Sequence, residues 1–423
     1  MNIRTLDFLS RHGMLPEAVN PMEYTEPMLR DMWKGLRGEE ASMAMIPTYL
    51  SNEGAVAAGS CAVVIDAGGT NFRSALLRFT EDGYELEGLK KQPMPGIAKP
   101  CTWEEFVSFV ADNVQPFMDK TDVIGFCFSY SAVIMPNMDG RVNRIDKEVV
   151  VTGSEGQMVG ESLSKELERR GYPGKRVVVL NDTVAVLLGG SATIDKTKYS
   201  GFIGQVSGTG TNTCATVALR DIEKLGLEGS GSMIINLESG QFDGFKQGDF
   251  DIELDKLSNN PGQKHMEKMT AGVYLGQLCR LMLLAAADEG LLSPVGCEKV
   301  RALGNIDAAV LDAWSMGEGY DNIGDDEKDQ ELARELSLAL FERSARIMCT
   351  NLVALSLLMD AGREKPVCVL AEGSLVQRGR HYRPVLEQQL KECGETLGIT
   401  IELRVGSDTT QPGSAAAALL NLK

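Results

Sequence analysis

Histidine is scarce in this 423-residue chain: only His12, His265 and His381 are present. A His-based catalytic triad or a His-rich metal site is therefore not expected, and any proton transfer should fall to a carboxylate. Nine cysteines are scattered, odd in number and without a CxxC pair. They read as reduced, mostly buried thiols of an intracellular, cytoplasmic protein, with no zinc motif. No Gly-Lys-Ser/Thr follows the first glycine turn, which excludes a Walker A loop, and no helix pattern follows it, which excludes a dinucleotide fingerprint. Long apolar runs are also missing. Met1–Val19 lacks the apolar core of a signal peptide, and Ile347–Met359 is too short and too polar to span a bilayer. Positive charge is in deficit: 42 Lys and Arg against 59 Asp and Glu give −17. That argues against a nucleic-acid or anionic-membrane partner. It leaves anionic small ligands open, because backbone amides bind phosphate on an acidic protein too.

What is present is an ordinary globular composition, 43% hydrophobic and 24% charged, in a chain long enough for two domains. The most informative stretch is Ala62–Phe79, AVVIDAGGTNFRSALLRF. An apolar run ends in Asp66, a tight Gly68-Gly69-Thr70-Asn71 turn follows, and a second apolar run carries Arg73 early. Small turn residues let backbone N–H groups approach phosphate oxygens, and the acid is placed to hold Mg²⁺ through waters. A plain β-hairpin would have the same pattern.

A helix is expected over Pro21–Leu36, with Met28, Met32 and Leu36 in the core and Gly38 ending it. Residues 39–60 read as a polar connection. Strands are expected at 61–66, 72–79, 84–91 and 122–129, and helices at 102–118 and Gly156–Arg170. A strand, Arg176–Leu180, runs into Asn181-Asp182 and a short helix from Thr183 to Leu188. Then the pattern restarts. Tyr199–Val206, a second turn Gly208-Thr209-Gly210-Thr211-Asn212 and Thr213–Leu219 repeat the hairpin. Further strands fit Met233–Leu237, Pro366–Leu370 and Thr400–Val405, and helices fit 264–289, 328–360 and Gly413–Leu422. Two copies of one α/β module, each opening on a glycine-turn hairpin, are the expected architecture. Polar residues gather at its strand ends, where ligands of such folds bind.

In that order and spacing the motifs resemble those of hexokinases, over nearly the whole length. Met43–Leu50 is similar to the family's lead into the first strand, and Asp66–Arg73 to its phosphate hairpin. Phe126–Tyr130 resembles the sugar strand, Asn181–Leu188 the segment of the catalytic acid, and Gly208–Asn212 the second phosphate loop. Asn236–Gly240 and Asn260–Lys268 resemble two further sugar segments, and Gly373-Ser374 the adenosine segment. The resemblance implies a duplicated ribonuclease-H-like, actin-like ATPase fold with a central cleft. Residues 57–183 plus 410–423 would form the small domain, and 1–56 plus 184–409 the large one. Departures from the family pattern are Ser131 for a proline, Asp146 for a threonine, Glu372 for an aspartate, and Val273 where some relatives have a lysine.

The implied reaction is phosphorylation of a hexose, glucose first, at its C6 hydroxyl by Mg²⁺–ATP. Asp182 would be the general base, although local sequence alone reads it as a helix N-cap. Lys147 would stabilise the transferring oxygens. Ser129, Lys147, Asn181, Asp182, Asn212, Glu238 and Glu267 would bind the sugar. Asp66, Gly68, Gly69, Thr70, Asn71, Arg73, Gly208, Thr209, Gly210, Gly373 and Ser374 would face the nucleotide, Asp66 holding the metal through water. The alternatives are a kinase of an amino or N-acetylated hexose on the same fold, a catalytically weak sugar-binding regulator, and a polymerising ATPase. Absence of a zinc cysteine cluster argues against the bacterial repressor-type glucokinase branch.

Overall fold

The computed structural model describes residues 1–145 and 149–422. Its main strands are β1 (Ile46–Pro47), β2 (Cys61–Gly68), β3 (Asn71–Thr80), β4 (Gly83–Pro93), β5 (Val123–Phe128), β6 (Arg176–Leu180), β7 (Gly201–Ser207), β8 (Thr211–Ala218), β9 (Ser232–Asn236), β10 (Val367–Glu372) and β11 (Ile401–Val405). Helices α1 (Ile3–Arg11) and α2 (Pro21–Arg37) precede them, and α3 (Trp103–Val114), α4 (Val159–Arg169) and α5 (Asp182–Ala192) follow the first hairpin. Between β9 and β10 lie α6 (Asp249–Leu257), α7 (His265–Thr270), α8 (Gly272–Asp288), α9 (Pro294–Ala302), α10 (Ala308–Ser315) and α11 (Glu327–Leu358). The chain then adds α12 (Ser374–Arg378), α13 (Tyr382–Leu397) and α14 (Thr410–Asn421).

The restart seen in the sequence is a restart of topology. One sheet runs β4-β3-β2-β5-β6, the other β9-β8-β7-β10-β11. In each, three antiparallel strands are followed by two that lie parallel to the first. The second sheet gains β1, antiparallel to β9. Residues 39–60 are therefore not only a polar connection: Met43, Met45 and Leu50 are buried, and Ile46–Pro47 extends the sheet. Their apolar side chains alternate over too few residues to signal a strand.

The α2 helix begins after an Asn20 cap and ends at Gly38 in a left-handed conformation, with Met28, Met32 and Leu36 buried as expected. The helix expected over 264–289 is broken. Ala271 is extended (φ −80°, ψ 144°), and α8 restarts where Gly272 N donates to the Gly208 carbonyl at 2.8 Å. A Cβ on Gly272 would lie 2.9 Å from that oxygen. The second glycine turn thus takes the place of a helical neighbour.

The two sheets meet through a pair of helices. α14 lies on β2, β5 and β6, α5 lies on β7, β8 and β10, and the two helices pack on each other. Glycine sets the spacing: a Cβ on Gly413 would be 1.9 Å from the Ala185 carbonyl oxygen, and one on Gly189 2.1 Å from that of Thr409. Around this contact Val64, Leu180, Val184, Ile234, Leu370 and Ala416 share one core. Two larger cores cover the outer faces of the sheets. No helix among the described residues is long and apolar enough to cross a membrane.

Candidate active site

The first glycine turn closes with Gly68 opposite Asn71 and Asp66 opposite Arg73. Gly69 sits at φ +47°, a conformation that glycine adopts without strain. A Cβ on Gly68 would lie 3.3 Å from Asp66 Oδ1 and 3.6 Å from Ser129 Oγ, so these three residues are packed together. Thr70 Oγ1 accepts from Asn71 Nδ2 at 3.1 Å at the exposed tip. The phenol of Tyr130 donates to the Gly69 carbonyl at 3.0 Å and braces the turn. Sequence reading saw Tyr130 only as the end of a strand motif.

Burial pushes the Asp66 carboxyl up to about 6; Arg73 opposes this, while the charges of Asp182 and Glu372 add to it. Asp66 thus sits within electrostatic reach of the ends of both β6 and β10. Glu372 is held by Thr409, whose Oγ1 and N donate to it at 2.7 and 3.2 Å. Arg73 Nη1 lies 3.4 Å from Asp408 Oδ1. The glutamate at position 372 therefore ties the end of β10 to the approach into α14.

The second turn, Gly208-Thr209-Gly210, closes with Gly208 N donating to the Gly210 carbonyl at 3.0 Å. Gly373 (φ +118°) presses on it so closely that a Cβ would lie 2.3 Å from the Ser207 carbonyl oxygen. The adenosine segment of the resemblance is therefore next to the second turn. Thr209 is exposed at its tip, and Val273, next to Gly272 on α8, is 44% exposed.

Asn181, rather than Asp182, caps α5. Its Oδ1 accepts from Thr183 N at 2.9 Å and Val184 N at 3.2 Å. Asp182 is the first residue of the helix, a position that the helix dipole favours for an acid. Its Oδ1 accepts from Asn181 Nδ2 (3.0 Å) and from Thr183 N (2.7 Å). The local reading of Asp182 as the cap is thus corrected: the amide one residue earlier already satisfies those donors.

Facing it, Asn212 Nδ2 donates to Asn236 Oδ1 at 2.8 Å, and Asn236 Nδ2 donates to Glu238 Oε1 at 2.8 Å. Burial pushes the Glu238 carboxyl up, Asn236 and Lys264 oppose it, and Asp182 and Glu267 add to it. Glu267 Oε2 accepts from Thr211 N at 3.2 Å, and its Oε1 accepts from Lys264 Nζ at 3.1 Å. Glu267 thus joins the second glycine turn to the acids, Asn212 links that turn to Glu238 through Asn236, and the charge of Asp182 reaches both Glu238 and Asp66. Asn236 and Lys264 complete the cluster and were not singled out from sequence. Lys147 and Asp146 lie outside the described residues. Ser131 opens a short hairpin (Ser131–Ile134 with Gly140–Arg144).

The donor set suits a hydrated Mg²⁺. Asp66 is a crowded, largely desolvated carboxylate that a cation would relieve. Among the described residues no three His, Cys, Asp or Glu side chains form a metal cage, so most ligands would be water and phosphate.

A duplicated α/β fold with a glycine turn on each sheet, and a cluster of acids beside them, is the architecture of the actin-like ATPase fold. Two family models, both described as Hexokinase, match residues 16–192 and 202–420. The chain is 26% identical to Hexokinase-1 of Schizosaccharomyces pombe, over 94% of this chain and 87% of that one. It is 27% identical to Hexokinase-1 of Nicotiana tabacum, with the same coverage, and 31% identical to Hexokinase-1 of Saccharomyces cerevisiae over 61% of this chain and 56% of that one. A hexokinase from Schistosoma mansoni, solved with glucose, superposes with a TM-score of 0.79 at 21% identity, covering 98% of this chain and 99% of that one. The chain belongs to the hexokinase family. Its reaction is the ATP-dependent phosphorylation of a hexose.

Proposed function

We propose that the protein transfers the γ-phosphoryl group of ATP to the C6 hydroxyl of D-glucose, with Asp182 as general base. One observation carries this reading. Asp182 is held by its Oδ1 at the start of a buried helix, and its charge reaches both the acid of the first glycine turn and the acid of the sugar-side cluster. A carboxylate fixed in that place can take the hydroxyl proton as the oxygen attacks phosphorus.

Asn181, Asn212, Glu238 and Glu267, with Ser129 beside them, pair with the ring hydroxyls. A wrong epimer leaves a buried partner unpaired at a cost of about 1–3 kcal/mol. Lys147 stabilises charge on the transferring oxygens. Backbone amides of the two turns, with Thr70, Asn71, Arg73 and Thr209, hold the phosphates, and Gly373-Ser374 borders the adenosine. Asp66 holds Mg²⁺ through water, and the ion neutralises phosphate charge when bound. The small domain comprises residues 57–183 plus 410–423 and the large one residues 1–56 plus 184–409. They close on the sugar and keep water from the γ-phosphate. The chain works in the cytoplasm.

The test is ADP release over a panel of hexoses, with the product position read by NMR and Asp182→Asn as control. Glucose-dependent release giving the 6-phosphate, lost in the variant, is the expected result. Release that is equal with and without sugar would overturn the reading.

A further inference from the structure

Two charged residues of the sugar-side cluster hold a left-handed backbone that side chains with a Cβ seldom adopt. Glu238 and Lys264 both lie at φ 55°. One residue ties them together. Gln241 N donates to the Glu238 carbonyl at 2.9 Å, and Gln241 Oε1 accepts from Lys264 N at 3.1 Å. Behind Lys264 the chain is clamped again. The buried Lys268 donates through Nζ to Asp255 Oδ1 at 2.6 Å and to the Asn260 carbonyl at 2.8 Å, and Gly262 N donates to Asp255 Oδ2 at 2.9 Å. A solvated surface lysine has no need of such fixation.

The clamp aims the Lys264 ammonium at the acids. Nζ donates to Glu267 Oε1 at 3.1 Å, while the side chain keeps 40% exposure. Burial would lower its basicity, but Glu267 and Glu238 outweigh this and hold it ionised. Asp182, Glu238 and Glu267 set three carboxylates against this one ammonium, so the cluster stays net negative but less so than it would be without Lys264. With it, the carboxylates keep a resident counter-cation and remain hydrogen-bond acceptors for neutral hydroxyls.

We propose that Lys264 is a specificity-determining residue, the built-in cation of the sugar site, which lowers the advantage that the surrounding carboxylates would otherwise give hexoses carrying a protonated amine over neutral hexoses. A like charge placed beside a site is a common way to disfavour a near-isosteric competitor. The inference rests on the hexose-binding reading of Glu238 and Glu267.

The experiment measures kcat and KM of the full chain for D-glucose, 2-deoxy-D-glucose, and the 2-amino-2-deoxy and 3-amino-3-deoxy analogues. Lys264→Gln and Lys264→Gly remove the charge; the glycine variant also suits the left-handed backbone and so guards against misfolding. Lys264→Arg keeps the charge. The amino-to-neutral ratio of kcat/KM should rise about tenfold in the Gln and Gly variants, as expected for loss of one nearby like charge. The gain should come through KM, and the ratio in Lys264→Arg should stay near that of the unmodified protein. Sugar-induced shifts in melting temperature report the same preference where turnover is low. A ratio unchanged in both charge-removing variants overturns the inference while leaving the hexose kinase reading intact. No phosphorylation of neutral hexoses by the unmodified protein overturns both.

Discussion

Asp66 and Asp182 differ in what the fold does to them. Asp182 shares its helix start with an asparagine that already caps it, so the acid is dispensable for the helix. Asp182→Ala should stay within about 2 kcal/mol of the unmodified protein in stability, since it loses a helix-dipole contribution and hydrogen bonds local to the helix start, yet lose about 10²–10⁴-fold in kcat. Calorimetry beside a coupled ADP assay checks both; near-normal turnover would remove Asp182 from the mechanism. Asp66 carries a penalty instead. Its carboxyl is pushed up to about 6 by burial, so the folded state binds this proton more tightly than the unfolded chain does. The cost is absent below about pH 4, grows as pH rises to 6, and is complete above that, on the order of 2–3 kcal/mol. Asp66→Asn should therefore raise the melting temperature of the ligand-free protein at pH 8 and change it little at pH 4, while ATP-dependent activity is lost. Equal shifts at the two pH values would refute the burial account. The identity of these acids was legible as motif residues. Asn236 and Lys264 were not, because their work depends on partners brought in from other segments.

Among the elements, α5 and α14 are the pair that joins the two sheets, and glycine decides their distance. Gly413→Ala places a methyl group against the Ala185 carbonyl, where neither helix can give way without moving a sheet. A loss of about 1–3 kcal/mol or more is expected. Gly304→Ala, which meets nothing within 4 Å, should be neutral to within about 0.5 kcal/mol in the same denaturant titration. Strands and the longest helices could be read from periodicity. The break between α7 and α8 could not, because it comes from a backbone contact with a turn some sixty positions away in the sequence. Helix α13 is not among the helices expected from the sequence, although Tyr382, Leu386, Leu390 and Cys393 form a regular stripe on it; the shorter α6, α9 and α10 offer too few turns for a period to stand out.

For the molecule as a whole, the duplicated topology places one glycine turn on each sheet, with α5 and α14 between the sheets. Such an arrangement can hinge while each sheet keeps its own outer core. Small-angle scattering should give a radius of gyration near 22 Å for a compact chain of this length, falling when saturating glucose is added. An unchanged radius with binding proven would argue against closure. The net charge of −17 sets a second expectation at this scale. If phosphate is held by local amides and Arg73, as proposed, rather than by the overall field, the KM for ATP should depend only weakly on ionic strength.

The sequence by itself determined the repeated hairpin, its two glycine turns and the acids at its strand ends, because alternation and turn chemistry act over a few neighbours. Tertiary structure alone decided which amide caps α5, how Glu238 and Lys264 are strained and paired, and how closely the two sheets approach. Each of these depends on groups far apart in the chain meeting at hydrogen-bond or van der Waals distance, which no local pattern encodes.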